Sequence, residues 1–185
     1  MATPSSNSRF NIALGRNVFI TTSFWQDQLY IHVRQFEKSN STDSQRLYPG
    51  PKGVGLTLQR FKELQRFAKE MDQCLDTIIR EEHTELKFSQ HLGGNLYAGV
   101  DSSYLGVDLR KFWLPEGEET IAPTRKGIFL KPEQWRLLLS SFEHIQRDIP
   151  ELNDVTPCYE GIDHSTRTGF LKCRECNPNA LKEDF

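Results

Sequence analysis

The sequence predicts an α+β fold: two copies of a four-stranded antiparallel sheet followed by one helix, packed together as an intramolecular pseudo-dimer. Three observations lead to this prediction. Blocks of sequence recur in the same order, runs of β-branched and aromatic residues flank short polar turns, and each set of predicted strands is followed by an apolar stripe with helical spacing. A short Cys/His-rich segment completes the chain.

The recurrence consists of three pairs of blocks. LGRNVF is followed 78 residues later by LGGNLY, IHVRQF 76 residues later by VDLRKF, and KGVGL 74 residues later by KGIFL. The order is kept, and each change in spacing is two residues, the size of a change in a hairpin or loop. We therefore predict a duplication. The first copies of the blocks begin at Leu14, Ile31 and Lys52, and the second copies at Leu92, Val107 and Lys126.

Each copy begins with runs that are typical of strands. NVFITTSF and QLYIHVRQF flank the polar turn WQD in the first copy, and NLYAGV and YLGVDLRKFWL flank DSS in the second. Glycine and proline then predict a loop, LYPGPKG in the first copy and PEGEETIAPTRKG in the second. This interpretation places both Lys-Gly pairs in loops. A short strand follows, VGLTL or IFL.

Apolar residues spaced three and four apart predict a helix at the end of each copy. Thr57 is placed to cap the first helix, Pro132 lies in the first turn of the second, and Pro150 ends it. Stripes this narrow predict core packing, with the two helices against each other between the sheets. The stripes are Phe61, Leu64, Ala68, Met71, Leu75 and Ile78, and Trp135, Leu138, Phe142, Ile145 and Ile149.

These elements divide the chain into five parts. We predict a disordered tail over 1–8, a first repeat over 9–82, a linker over 83–87, a second repeat over 88–150 and the Cys/His-rich segment over 151–185. One such repeat is near the size at which a single core is marginally stable. Two repeats that bury their helices together would share one larger core.

Composition excludes several classes of protein. The 185 residues carry a net charge of −2, so the chain is not a polycation, although a local basic patch can act within a Debye length of ~10 Å. No apolar run approaches the ~20 residues of a membrane helix. The N-terminal sequence MATPSSNSRF lacks the regions of a signal peptide, which predicts a cytoplasmic or nuclear protein.

The C-terminal segment contains a candidate metal site. Cys173 and Cys176 form a Cys-x-x-Cys pair, and Cys158 with His164 would complete a tetrahedral Cys₃His set for structural zinc. The alternatives are a redox-sensitive thiol pair or a tail with incidental cysteines. Catalytic zinc is disfavoured because all four ligands would come from the protein. Cys74 beside the first helical stripe is most simply a buried thiol.

The segment VDLRKFWLPEGEETIAPTRKGIFLKPEQWRLL resembles the positive-cofactor-four family of RNA polymerase II transcriptional coactivators. Four elements carry the resemblance in order and spacing: the strand end with Arg110, Phe112 and Trp113, PEGE at 115–118, Arg125-Lys126-Gly127, and PEQW at 132–135. With the preceding strands it covers roughly 88–149. The first copy carries it more weakly, with Glu37 in the position of Trp113 and Pro51 in that of Arg125.

The resemblance implies a nuclear protein in which two sheet-and-helix units pair through their helices. The paired sheets of the family bind single-stranded DNA or melted duplex with little sequence preference. In this chain the two copies would form that pair internally, as a monomer with a pseudo-two-fold axis, or two chains would pair as a dimer. Proteins of the transcription machinery are implied as further partners.

Single-strand binders need cations along a backbone track and flat side chains on which bases stack. The predicted phosphate contacts are Arg110, Arg125 and Lys126, with Arg34 and Lys52 as their counterparts in the first copy. Gly127 would let a phosphate approach the backbone. Strand-end cations that only guard a sheet edge, and a tryptophan in the core, are the structural alternatives. The predicted stacking surfaces are Trp113, Phe24 and Trp25.

The leading hypothesis is a non-enzymatic, sequence-independent single-stranded-DNA-binding protein of the coactivator kind. The alternative is a protein-interaction adaptor that keeps the fold without binding nucleic acid, consistent with the pI near 6.2 and the weaker first copy. No nucleophile motif, phosphate-binding loop or carboxylate pair indicates an enzyme. The sequence leaves the choice between DNA and RNA open.

Overall fold

A computed structural model describes residues 8–38, 47–81 and 85–179, so most of the predicted tail 1–8 and part of the predicted linker 83–87 lie outside the described residues. The first unit is one antiparallel sheet in the order β1-β2-β3-β4 followed by a helix. Its elements are β1 (Asn11–Gly15), β2 (Val18–Trp25), β3 (Gln28–Lys38), β4 (Leu47–Thr57) and α1 (Leu58–Arg80).

The second unit repeats this order, and its first strand begins at Lys87. Its sheet has the order β5-β6-β7-β8 and is again antiparallel throughout. The predicted fold class is therefore confirmed. The elements are β5 (Lys87–Gly93), β6 (Leu96–Asp101), β7 (Tyr104–Trp113), β8 (Ala122–Leu130), α2 (Pro132–Ser140) and α3 (Phe142–Asp148).

The C-terminal segment contains only short elements. Three 3-10 helices span Pro150–Asp154, Cys158–Glu160 and Ile162–Ser165, and helix α4 spans Arg167–Lys172. Leu152 in the first of these is fully buried, so the segment begins inside the common core. The rest of the segment lies on the surface of that core.

Each helix packs against the sheet of the other unit as well as its own. Helix α1 lies against β5, β6 and β7, whereas α2 contacts β1. Phe61 in α1 and Trp135 in α2 occupy equivalent positions and are both fully buried in one core shared by the two units. The Trp135 indole N–H also donates to the Asp72 carboxylate at 3.1 Å, so the helices contact each other through side chains.

The predicted helix boundaries hold with one difference. The Thr57 hydroxyl caps α1 by accepting from the Arg60 backbone N–H, and Pro132 opens α2. The second helix, however, is interrupted at Ser141. The hydroxyls of Ser140 and Ser141 both donate to the Leu137 carbonyl, at 2.9 and 2.7 Å, and compete with the backbone for that acceptor.

The predicted loop positions of Lys52-Gly53 and Lys126-Gly127 are wrong, because both pairs lie inside long strands, β4 and β8. Proline is tolerated there because β4 and β8 are the edge strands of their sheets, where a missing N–H breaks no ladder. Pro49 pairs with Phe36 just beyond a register shift in β3. Among the described helices, none is both long and apolar enough to cross a membrane.

Candidate nucleic-acid interface and candidate metal centre

An arginine at a β-bulge appears in both sheets with the same geometry. In β3 the register shifts between Arg34 and Phe36, and the Arg34 guanidinium donates to the Gly50 carbonyl at 2.7 Å. In β7 the shift lies between Arg110 and Phe112, and Arg110 donates to the Thr124 carbonyl at 2.8 Å. Both arginines take outward positions in the strand alternation, just before the bulge, and the hydrogen bond holds each side chain across the edge strand.

The two arginines differ in charge environment. Arg110 forms a bidentate ion pair with Asp108, at 2.7 and 2.9 Å, and this hydrogen bonding raises the Arg110 pKa. His32 occupies the position equivalent to Asp108 beside Arg34. Burial, and then the charge of Arg34, lower the His32 pKa, so the ring is neutral at pH 7. Among the described residues no carboxylate forms an ion pair with Arg34.

Three aromatic side chains that the sequence predicts as stacking surfaces are exposed. Trp113 at the end of β7 is 50% exposed, which rules out the alternative that it belongs to the core. Phe24 and Trp25, at the β2–β3 turn, are 51% and 62% exposed. The Arg9 guanidinium lies 5.6 Å from the centre of the Phe24 ring, so one face of that ring already has a cationic neighbour.

The outer face of the second sheet forms an aromatic groove of about 880 Å³. Tyr97 packs edge-to-face on Phe112 at 5.0 Å, and Tyr104 packs in the same way on Phe129 at 5.6 Å. Sequence reasoning missed Tyr97, Tyr104 and Phe129. For Tyr97 and Phe129 the signal was present in the strand alternation, because both take outward positions between buried residues. Tyr104 begins β7 beside exposed Leu105, so the alternation gives no such signal for it.

A basic cleft of about 390 Å³ lies where the two units meet. Strands β4, β7 and β8 contribute the predicted residues Lys52, Arg110 and Arg125 to its lining, and its lining residues include no carboxylate. Sequence reasoning missed two further cations, Arg16 in the β1–β2 turn and Lys131 before α2. Only the folded chain brings them beside the others, because they come from different units.

Lys126 lies outside this cleft, because Arg125 and Lys126 are adjacent in a strand and point to opposite sides. It lies beside Lys111, because Arg110 and Gly127 pair across β7 and β8. Burial, and then the charges of Arg60 and Lys126, lower the Lys111 pKa. The structure therefore divides the predicted phosphate contacts. Lys52, Arg110 and Arg125 share the cleft, whereas Lys126 belongs to a second cationic group, and Arg34 lies on the face of the first sheet.

The structure gives a steric reason for glycine at position 127, beside Lys126. A Cβ on Gly127 would lie 2.8 Å from the Leu109 carbonyl oxygen and 3.0 Å from the Arg110 Cα, and one on Gly53 would lie 2.8 Å from the Arg34 Cβ. Glycine is therefore needed at both positions because the bulged neighbouring strand fills the space that a side chain would take.

The four predicted metal ligands come together. The ligand atoms of Cys158, His164, Cys173 and Cys176 all lie within 4.8 Å of one another, and this group could hold a metal ion. The Cys176 sulfur lies 3.4 Å from the Cys158 sulfur and 3.3 Å from the His164 Nε2. Burial, and then the hydrogen bond with Cys158, raise the pKa of Cys176 to about 12. A bound cation reverses such a shift, because it stabilises the thiolate.

Glu175 attaches the metal-ligand segment to both units, through its carboxylate to α1 of the first unit and through its backbone carbonyl to the β5–β6 turn of the second. Glu175, between Cys173 and Cys176, accepts from Arg60 Nε at 2.9 Å and from Arg60 Nη2 at 2.6 Å. The Gly94 N–H in the β5–β6 turn donates to the Glu175 carbonyl at 2.8 Å. Gly94 has φ +55, and the Arg60 guanidinium fills the position of its absent Cβ. Tyr159 adds a hydrogen bond to Glu63 at 2.9 Å.

Together these features define an α+β protein of two similar sheet-and-helix units, with a cationic cleft between them and a Cys/His cluster whose segment contacts α1 and the β5–β6 turn. The comparison with family models identifies the second unit more closely. Residues 105–141, from the start of β7 to the end of α2, match the family described as Transcriptional Coactivator p15 (PC4). The resemblance predicted from the sequence is thereby confirmed for this segment. Searches of the curated proteins and of the solved structures found no match.

Proposed function

We propose that the chain is a non-enzymatic protein that binds single-stranded DNA, or melted duplex, without sequence preference and acts in transcription in the nucleus. The observation that carries this proposal is the basic cleft. It gathers Arg16, Lys52, Arg110, Arg125 and Lys131 from both units, with no carboxylate among its lining residues. A phosphodiester needs such a concentration of cations to replace its counterions.

The aromatic side chains support a single strand over a duplex. Trp113 ends strand β7, where it is half exposed, and the aromatic groove adds Tyr97 and Phe112 on the same sheet. Unpaired bases stack on such rings with ~1–3 kcal/mol per base, whereas paired bases keep their faces inside the helix. We also propose that the two repeats span 9–82 and 88–150. We propose that the protein is a monomer, because the helices of one chain already pair with each other.

Binding is tested by fluorescence anisotropy with a labelled ~20-nucleotide strand, the matching duplex and an RNA strand of the same sequence, at low and physiological salt. We expect binding that favours the single strand, with a log–log salt slope of roughly −0.7 per phosphate neutralised. The variant Lys52→Glu with Arg125→Glu should lose most of this affinity. The variant Lys69→Glu with Arg167→Glu changes two exposed cations away from the cleft and should retain it.

The absence of binding even at low salt would overturn this proposal and favour the protein-interaction adaptor. One observation is consistent with that second function: Asp108 already pairs with Arg110. Equal loss of affinity in the two charge-reversal variants would mean that net charge, and not the cleft, determines binding. Proteins of the transcription machinery are the proposed partners under either function.

We further propose that Cys158, His164, Cys173 and Cys176 bind a structural zinc ion. Three sulfurs and one imidazole nitrogen are a ligand set that zinc prefers, and they leave no position for a reacting water. Metal analysis of protein purified without added zinc should find one equivalent. Replacement of Cys173 and Cys176 by serine should remove it, whereas Cys74→Ser should not. Full zinc content in the double variant, or none in the unchanged protein, would overturn this assignment.

A further inference from the structure

We propose that Arg60, Lys111 and Lys126 form a second phosphate-binding site, the Arg60 cluster, and that the Glu175 carboxylate of the C-terminal segment covers it. The ligand is a backbone phosphate of a single strand, so the inference rests on the function proposed above. In the described part of the chain, one of two equivalent cationic sites is therefore accessible and the other is closed by the protein itself.

The Arg60 cluster is the counterpart of the basic cleft under the exchange of the two units. Lys126 in β8 takes the place of Lys52 in β4. Arg60 and Gln134 are each the third residue after a helix N-cap. Each of these two side chains reaches the β-turn of the other unit, because the helices are exchanged between the sheets. Gln134 donates to the Gly15 carbonyl at 3.1 Å, and Arg60 lies over Gly94.

The Arg60 cluster already holds an anionic group. The Arg60 guanidinium binds both oxygens of Glu175 in a fork, and the side chains of Arg60 and Glu175 are only 18% and 29% exposed. Arg110 pairs with Gly127 across β7 and β8, so Lys111 and Lys126, the residues next to them in the chain, are neighbours on the two strands. The same fork geometry suits two oxygens of a phosphodiester, because arginine binds carboxylate and phosphate in the same bidentate way.

The basic cleft differs from the Arg60 cluster in two ways. Its lining includes neutral Gln134 where the cluster has Arg60, and no acidic side chain is among its lining residues, although Asp108 pairs with Arg110 beside it. The segment that supplies Glu175 follows the second unit only, so the first unit has no counterpart of it. The C-terminal segment thus makes two similar sites unequal, and we expect one short strand to bind per chain.

The test is the variant Glu175→Gln, which keeps the size of the side chain and removes its charge. A labelled strand of about ten nucleotides is titrated at protein concentrations above the dissociation constant, because a strand of that length covers one site. We expect saturation at one strand for the unchanged protein and at two for the variant. The salt slope of a longer strand should steepen by roughly 0.7 for each added phosphate contact.

Two further variants make the result specific. Glu160→Gln removes a carboxylate from an exposed position in the same segment and should leave the stoichiometry at one. Adding Arg60→Gln to Glu175→Gln should return the stoichiometry to one, because the site loses its fork. Zinc content and melting temperature are measured for each variant, so that loss of the segment's fold is recognised.

The possible results separate the two proposals. If the unchanged protein binds one strand and Glu175→Gln also binds one with the same salt slope, the covered site is overturned while the proposed function stands. If neither protein binds a strand at low salt, the proposed function itself is wrong. A rise in stoichiometry that Glu160→Gln reproduces would show a general effect of charge and would also overturn the covered site.

Discussion

The outer faces of the two sheets have a similar backbone but differ in how the charge of one arginine is compensated. Both carry a bulge, an arginine across the edge strand and a buried or half-buried phenylalanine after it. In the first sheet Arg34 lies beside neutral His32, whereas in the second Arg110 is ion-paired with Asp108. The fold therefore determines where the arginine points, and one neighbouring residue determines whether its charge is neutralised.

This difference changes how much each unit is expected to contribute to the binding of a single strand. The segment that matches the coactivator family contains the arginine whose charge is neutralised, and the unit with the weaker resemblance contains the one with no described acidic partner. Exposed Phe24 and Trp25 lie at the β2–β3 turn of that first unit. The first copy carries the family resemblance more weakly because it lacks counterparts of Trp113 and Arg125. Its electrostatics nevertheless favour participation in binding.

The largest effect should follow from the core that the two units share. Phe61→Ala and Trp135→Ala each remove a fully buried ring at equivalent positions, and each should cost about 3–5 kcal/mol of unfolding free energy. Both variants should unfold in a single transition in urea, because α1 and α2 pack on both sheets. Trp113→Ala, on the exposed surface, should change stability by less than about 0.5 kcal/mol.

Two separate transitions, one shifted in each variant, would contradict a shared core. The units would then be independent domains in contact, each of which folds without the other. A cost at Phe61 much smaller than that at Trp135 would show that the second unit holds the first in place without depending on it.

The sequence predicted the elements that local pattern determines. The helical stripes, the Thr57 cap and the grouping of the four metal ligands follow from spacing within one segment, and all of them are found in the structure. The strand positions of Lys52 and Lys126 were missed because proline and glycine usually indicate loops, although edge strands also accept them. The basic cleft was missed because its cations come from both units and lie together only in the folded chain.

A smaller effect is expected from exchanging the residues beside the two arginines. Asp108→Asn should free Arg110 and tighten single-strand binding by a few-fold, with a salt slope steeper by roughly 0.7 for one added phosphate contact. His32→Asp should do the opposite in the first sheet, because it supplies Arg34 with the partner that Arg110 has. Both are measured by anisotropy at several salt concentrations, with melting temperature as the control for folding.

If Asp108→Asn tightens binding and His32→Asp has no effect, only the second sheet contacts the DNA strand. The two sheets would then differ in DNA contact as well as in charge. If neither changes the affinity, the outer faces are not part of the interface, and the basic cleft alone carries the phosphate contacts.

The smallest effect concerns the pH dependence of stability at His32. Burial, and then Arg34, lower the pKa of this imidazole in the folded protein, and the ring also shares a hydrogen bond of 2.8 Å with the Ser23 hydroxyl. As the pH falls through the unfolded value near 6.5, the unfolded chain takes up a proton that the folded protein resists. The unfolding free energy should therefore fall with pH until the lowered folded pKa is reached.

His32→Asn removes this contribution and leaves the other histidines in place. The unfolding free energies of both proteins are measured in urea at pH 7.5 and at pH 5.5. Between these two pH values, the unchanged protein should lose more unfolding free energy than the variant. An equal pH dependence of the unchanged protein and His32→Asn would mean that His32 is protonated as readily in the folded state as in the unfolded one. The first sheet would then gain a second cation beside Arg34 below neutral pH, and its binding of a strand should strengthen there.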